Sequence, residues 1–292
     1  MTSTPSRLVK PARWAARGPR LQDNHLLQGC LALFPLWDGG GPDAIELMRY
    51  AGAAYHAQWE TAPNWGVGRA GSCTVHDGSD ILGLNVTGSF TSLSKLKQPL
   101  PLTIEVLIEP FAANPTEQGT IFCNDGVRAG AYRGIVLTQT ALGQFQLSYG
   151  DGTGSSSSDR RTFTTSAGST QGNTIYHVVA TARGPTDGEI WANGEKLSVT
   201  TSGSGGSIAY STNPARIGSQ GGFSGFSTGF HGRIYMAALY RRSFTPREVH
   251  LRARDPYRVI RRPLATVRAA QGSLPPPAGD SGKGSIVIAI TC

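Results

Sequence analysis

Apolar and polar positions along this chain change places in short runs, with turn residues between them. Residues 102–110 read Leu-Thr-Ile-Glu-Val-Leu-Ile-Glu-Pro, a partly alternating strand that Pro110 ends. The same pattern predicts strands over 120–123, 134–138, 144–149, 161–165 and 175–181. Asn124-Asp125-Gly126, Gly150-Asp151-Gly152 and the serine run 154–158 separate them. Glu189-Ile190-Trp191-Ala192, Asn193-Gly194 and the following 196–200 read as a hairpin with the dipeptide that a type I′ turn demands. Two more strands are expected at 215–217 and 230–240, split by a glycine-aromatic loop over 221–229. Nearer the N-terminus, the apolar run 30–37 suits a strand running into Asp38-Gly39-Gly40-Gly41. Residues 44–50 read as a helical turn or a loop, and the stretch around Trp59, Trp65, Gly66, Gly68 and Gly71 as a loop packed back on a sheet. One helix is expected over 246–254: Thr245-Pro246-Arg247-Glu248 supplies a capping box with Pro at the first helical position, and Asp255-Pro256 stops it.

Many short strands with turn punctuation define an all-β sandwich or jelly roll with one short C-terminal helix. Composition agrees, with 38 Gly, 18 Pro and only 16% charged residues in 292 positions. That excludes a coiled coil or long helical bundle, while 39% hydrophobic residues suffice for a core. No apolar run reaches the ~20 residues of a bilayer span, and the basic start lacks a signal-peptide core, so no membrane insertion and synthesis in a cytoplasm are expected. Cys30, Cys73, Cys123 and Cys292 show no metal-ligand spacing; the first three are expected to be buried free thiols, and Cys292 leaves an intermolecular disulfide open.

Charge changes the picture once it is located. Residues 1–22 carry five bases and no acid, and residues 241–268 carry nine Arg against Glu248 and Asp255, so the rest of the chain holds −4 of a total of +8. A nucleic-acid binder would carry its basic face on the folded body, so no specific nucleic acid is expected. The chain divides into a basic arm (1–22), a β domain (23–262), a Pro/Gly linker (263–284) and a terminal β-prone run (285–292) that needs a sheet to join. Docking on a partner surface is expected from Arg7, Arg13, Trp14, Arg17, Arg20, Arg258, Arg261 and Arg262, with strand addition through Ile286, Ile288 and Ile290.

The ordered set of motifs resembles the laminin-G-like domains of the concanavalin A-like jelly-roll group, over about residues 25–263. Trp65-Gly66-Val67-Gly68-Arg69-Ala70-Gly71 is similar to the family's Trp-x-x-Gly-Arg-x-Gly stretch, and His76-Asp77-Gly78 to its Phe-Asp-Gly. Residues 103–110 resemble its Thr-Ile-Glu strand, with Leu107 where an aromatic is common. Tyr176-His177-Val178-Val179-Ala180, Trp191-Ala192-Asn193-Gly194, Arg216-Ile217-Gly218 and Phe230-His231-Gly232-Arg233-Ile234 follow in the family's order. The tail 255–263 resembles phage members, which implies a non-enzymatic virion protein decorating a capsid or tail. Its implied partners are the major capsid or tail protein, further copies of itself in a homo-oligomer, and a host-surface glycan. A lectin-like tail fibre or receptor-binding protein is the alternative, and a glycan-cleaving jelly-roll enzyme a second.

Catalysis needs paired carboxylates in a cleft. Glu105 and Glu109 share one strand face, but their apolar neighbours suggest a solvated outer face for both. No cofactor is expected. Calcium held by turn aspartates such as Asp125 and Asp151 is a second reading, against the ordinary role of such residues in bonding local backbone. The glycan candidates are Phe223 and Phe226, for stacking on a sugar, with Asp125 and Asp151.

Overall fold

The computed structural model describes residues 25–259 except 37–42, 46, 48–55, 60–63, 78–83, 88–95, 126–130, 155–158, 212 and 220–228. All of them fall within a single unit, Asp23–Val259. Of the expected docking residues, Arg7, Arg13, Trp14, Arg17, Arg20, Arg261, Arg262, Ile286, Ile288 and Ile290 lie outside the described residues. So do the glycan candidates Phe223 and Phe226, and Cys292.

After a 3-10 turn (His25–Leu27), the strands run β1 (Cys30–Phe34), β2 (Asp43–Ile45), β3 (His56–Trp59), β4 (Trp65–Gly68), β5 (Gly71–Asp77), β6 (Leu84–Thr87), β7 (Leu102–Pro110), β8 (Gly119–Cys123) and β9 (Arg133–Gln139). They continue as β10 (Phe145–Asp151), β11 (Arg160–Thr165), β12 (Tyr176–Ala182), β13 (Gly188–Ala192), β14 (Glu195–Leu197), β15 (Val199–Gly203), β16 (Arg216–Ile217) and β17 (His231–Tyr240), closed by helix α1 (Pro246–Arg254).

Two antiparallel sheets face each other. The first runs β14-β13-β12-β7-β17-β5-β4, with β1 also paired to β17; the second runs β15-β11-β10-β9-β8-β16-β6-β3-β2. The chain is therefore the all-β jelly-roll sandwich with one short helix that its pattern predicts. Alternation decides which residues fill the core. From the first sheet come Leu102, Ile104, Val106, Ile108, Val178, Ala180, Ala237 and Leu239, and from the second Ile135, Leu137, Phe145, Leu147, Tyr149 and Phe163.

The hairpin reading holds at atomic detail. Asn193 and Gly194 have φ of 51° and 87°, both in the left-handed region that a type I′ turn requires. The continuation does not hold as a single strand: β14 pairs with β13 in the first sheet, and β15 pairs with β11 in the second. The chain changes sheets around residue 198. Residues 65–77 are not a loop but a hairpin, β4 against β5. Residues 43–45 are strand β2, not a helical turn. Helix α1 has the expected bounds and the capping box, with Thr245 accepting from Glu248 N. Cys30, Cys73 and Cys123 are buried free thiols, and burial pushes Cys123 up to about 12.

Candidate functional site

Two faces of the sandwich carry chemistry, and they point away from each other. On the outer face of the first sheet the two glutamates of β7 are not solvated, as their apolar neighbours had suggested. Glu105 is 0% and Glu109 2% exposed. Helix α1 lies over this face and supplies the cover for Glu105. Arg252 Nη1 donates to Glu105 Oε2 at 2.6 Å and to Tyr240 Oη at 3.0 Å, and its guanidinium sits over the rings of Tyr240 and Phe244. The other carboxylate oxygen lies 2.8 Å from His177 Nε2. Burial pushes Glu105 upward, but Arg252 and the His177 hydrogen bond outweigh it and hold the carboxyl at about 2. An ionised carboxylate only accepts, so His177 Nε2 donates.

Glu109 is saturated in a different way. Arg69 Nε and Nη2 both donate to its Oε1, at 3.0 and 2.8 Å; Tyr235 Oη donates to Oε2, and Arg233 Nη1 lies 3.2 Å from the same oxygen. Desolvation opposes ionisation, but these donors hold the carboxyl below its ordinary range. Neither glutamate has an acid or base function left to offer a substrate. Arg258 is exposed in the turn after α1.

The aspartate candidates do structural work. Asp125 is buried and accepts from Ser211 N and Oγ, pinning one loop to another. Asp151 accepts from Thr153 N at 3.0 Å and Thr153 Oγ1 at 2.7 Å, a local turn bond. Among the described residues no three His, Cys, Asp or Glu converge.

The outer face of the second sheet carries a group of residues that the sequence reading passed over. Register places Thr200, Thr164, Gln146, Thr138 and Thr120 in one cross-strand row, and Ser202, Thr162, Ser148 and Val136 in the next. Gln118, at the mouth of β8, joins the first row. Gln118 Nε2 donates to Thr138 Oγ1 at 3.0 Å and to Gln146 Oε1 at 3.5 Å. Gln146 Nε2 passes the chain on to Thr164 Oγ1 at 3.2 Å, and Ser148 and Thr162 share a bond of 3.0 Å. Gln118, Thr200 and Ser202 are exposed, and Gln146 and Thr164 half-buried. The result is an oriented ladder of amides and hydroxyls with no charge in it. Each rung is bonded to its neighbour, and the second Gln146 amide proton and the Thr164 hydroxyl proton remain to donate. The signal was present in the sequence as the polar half of the alternation Gln144-Phe145-Gln146-Leu147-Ser148 and Thr162-Phe163-Thr164, which is uncharged throughout.

A family model described as the Concanavalin A-like lectin/glucanases superfamily (Laminin_G_3) matches residues 86–250. No curated protein matches the chain. Among solved structures, Trypanosoma rangeli sialidase in complex with 2,3-difluorosialic acid is 15% identical with a TM-score of 0.50, over 80% of this chain and 34% of that one. The binding domain of botulinum neurotoxin DC in complex with rat synaptotagmin II is 10% identical with a TM-score of 0.54, over 78% of this chain and 52% of that one. The match thus spans about a third of the sialidase chain and about half of the neurotoxin chain. At such identities the likeness is one of fold.

Proposed function

We propose, from the premise that this chain belongs to the Concanavalin A-like lectin/glucanases superfamily, that it is a non-catalytic saccharide-binding module carried on a larger particle by its termini. The amide–hydroxyl ladder on the second sheet carries this reading. Sugar hydroxyls are both donors and acceptors; Gln146 and Thr164 keep protons to donate, and Gln118 and Thr200 keep oxygens to accept, at strand spacing. Charge plays no part there, which suits a neutral saccharide. Glu105 and Glu109, the carboxylates best placed by sequence for acid–base work, lie on the other sheet and are each committed to an arginine, Arg252 and Arg69 respectively.

Geometry supports a division of labour between the faces. Leu26, close to where the chain comes in, accepts through its carbonyl from Arg252, and Tyr257, close to where it leaves, packs near Cys73. Both lie over the outer face of the first sheet, opposite the ladder. The segregated basic charge of 1–22 and 241–268 fits attachment to an acidic support, and a phage capsid or tail is the support we propose.

A glycan array probed with the whole chain, followed by calorimetry on the best neutral saccharide, tests the binding. Gln146→Ala and Thr164→Val are each expected to weaken it about tenfold without changing the fold. Absence of any neutral saccharide ligand, or binding that ignores both substitutions, overturns the assignment.

A further inference from the structure

Exposure divides the ladder unevenly, and the division has a shape. Its second row is closed over the inner strands: Val136 is 8%, Ser148 6% and Thr162 3% exposed. The first row stays open across four neighbouring strands. Gln118, bonded to Thr138 and Gln146, holds its amide over β9; Gln146 stands on β10, Thr164 on β11 and Thr200 on the edge strand β15. Beside this row, at the turn between β9 and β10, lies a further uncharged pair. Thr140 Oγ1 donates to Gln144 Oε1 at 3.1 Å, and Gln144 Nε2 donates to the Thr165 carbonyl at 2.9 Å; both side chains are half-buried. These bonds use one amide proton of Gln144 and leave the other, as they do at Gln146. The open polar surface is therefore a narrow band that crosses the strands instead of following them.

We propose, resting on the saccharide reading above, that this band takes an extended β-1,4-linked neutral glycan laid across the strands, with one sugar to each strand. Spacing sets that direction. Neighbouring strands lie about 4.8 Å apart, whereas same-face residues along one strand are about 6.8 Å apart. A β-1,4-linked pyranose chain advances by nearly the strand spacing with each sugar, so every sugar meets a new side chain in a similar relative place. The donors and acceptors are spread along the band to match. Gln146 and Thr164 offer protons at its centre, and Gln118 and Thr200 offer oxygens at its two ends. A single terminal sugar would cover one or two of these positions and leave the others to water. Each further sugar adds a modest hydrogen-bonded contact, so affinity accumulates with chain length.

Calorimetry on the whole chain with β-1,4-linked oligomers of glucose, mannose, xylose and N-acetylglucosamine, from one sugar to six, decides the matter. In a series that binds, affinity is expected to rise about tenfold from two sugars to four and to level off beyond four. Thr200→Val and Gln118→Ala remove the two ends of the band. Each is expected to cost the tetrasaccharide about threefold and to bring the levelling-off down to three sugars. The α-1,4-linked glucose hexamer, whose chain curls, is expected to bind more weakly than a β-1,4-linked hexamer. Circular dichroism on each variant confirms the fold. A monosaccharide that binds as tightly as its tetramer, and is lost in Gln146→Ala, overturns the extended ligand and leaves the saccharide reading standing. The wild-type length profile in both end variants does the same. So does failure of all four series while the array yields another neutral sugar, whereas absence of any neutral ligand overturns both.

Discussion

Replacing Arg252 by Met leaves the Glu105 carboxylate sealed inside the protein with His177 as its remaining partner. Breaking a buried pair from one side costs about 3–5 kcal/mol, because the surviving charge is stranded. Urea denaturation of Arg252→Met should show a loss of that order. The same residues set the acid behaviour. His76 is fully buried, and burial lowers it from 6.5 to about 4; its Nε2 lies 3.0 Å from Thr74 Oγ1, which itself donates to the Ile234 carbonyl. Between these two values the unfolded chain takes up a proton that the folded one refuses, so stability falls as pH drops from about 6.5 to 4. Glu105 then adds a second stage. Its stabilisation is complete above its ordinary value of 4.5 and is lost as pH falls towards about 2. The urea midpoint should therefore decline in two steps, and a midpoint that stays level from pH 7 to 4.5 contradicts a neutral buried His76. At this scale the sequence showed only half of what matters. The spacing of Glu105 and Glu109 put both on one strand face, but the arginine that covers Glu105 lies 147 residues away. No local pattern reports such a cover.

Helix α1 and the Asn193-Gly194 hairpin were legible because their determinants are local. A cap hydroxyl, a first-turn proline and a left-handed dipeptide act within a few residues of one another. Thr245→Ala should accordingly cost about 1 kcal/mol, seen as a lower thermal midpoint. The short strands β2, β3 and β6 were not legible, since strands of three or four residues owe their existence to partners across the sheet. The ladder escaped notice for a related reason. Its residues belong to separate strands, and only the register of β15, β11, β10 and β9 lines them up. The gap between the sheets is equally demanding. Gly218 has φ of 82°, and a Cβ there would fall 2.1 Å from the His76 ring. Gly218→Ala combines backbone strain with overpacking, and a loss of about 3 kcal/mol is expected from the urea midpoint.

For the whole molecule, the jelly roll and its attachments should separate cleanly. Deleting residues 1–22 or 271–292 is expected to leave the thermal transition of the β unit in place while abolishing co-sedimentation with particles. Particles that retain a full complement of either truncated form contradict the fastening role. The overall fold was readable from alternation and turn chemistry, because a two-sheet sandwich writes its inward residues into every strand. What covers each outer face was not, since the helix over Glu105 comes from far along the chain. One last feature bears on how such a molecule behaves under tension. Arg242 donates to the carbonyls of Leu26 and Gln28, Arg252 also reaches Leu26, and Cys30 pairs with Tyr240 where β1 begins and β17 ends. Force pulling the two ends of the unit apart would thus be met first at this clasp, where β1 joins β17 in the first sheet. The hydroxyl-bearing second sheet, on the far side, would keep its geometry while the clasp took the load.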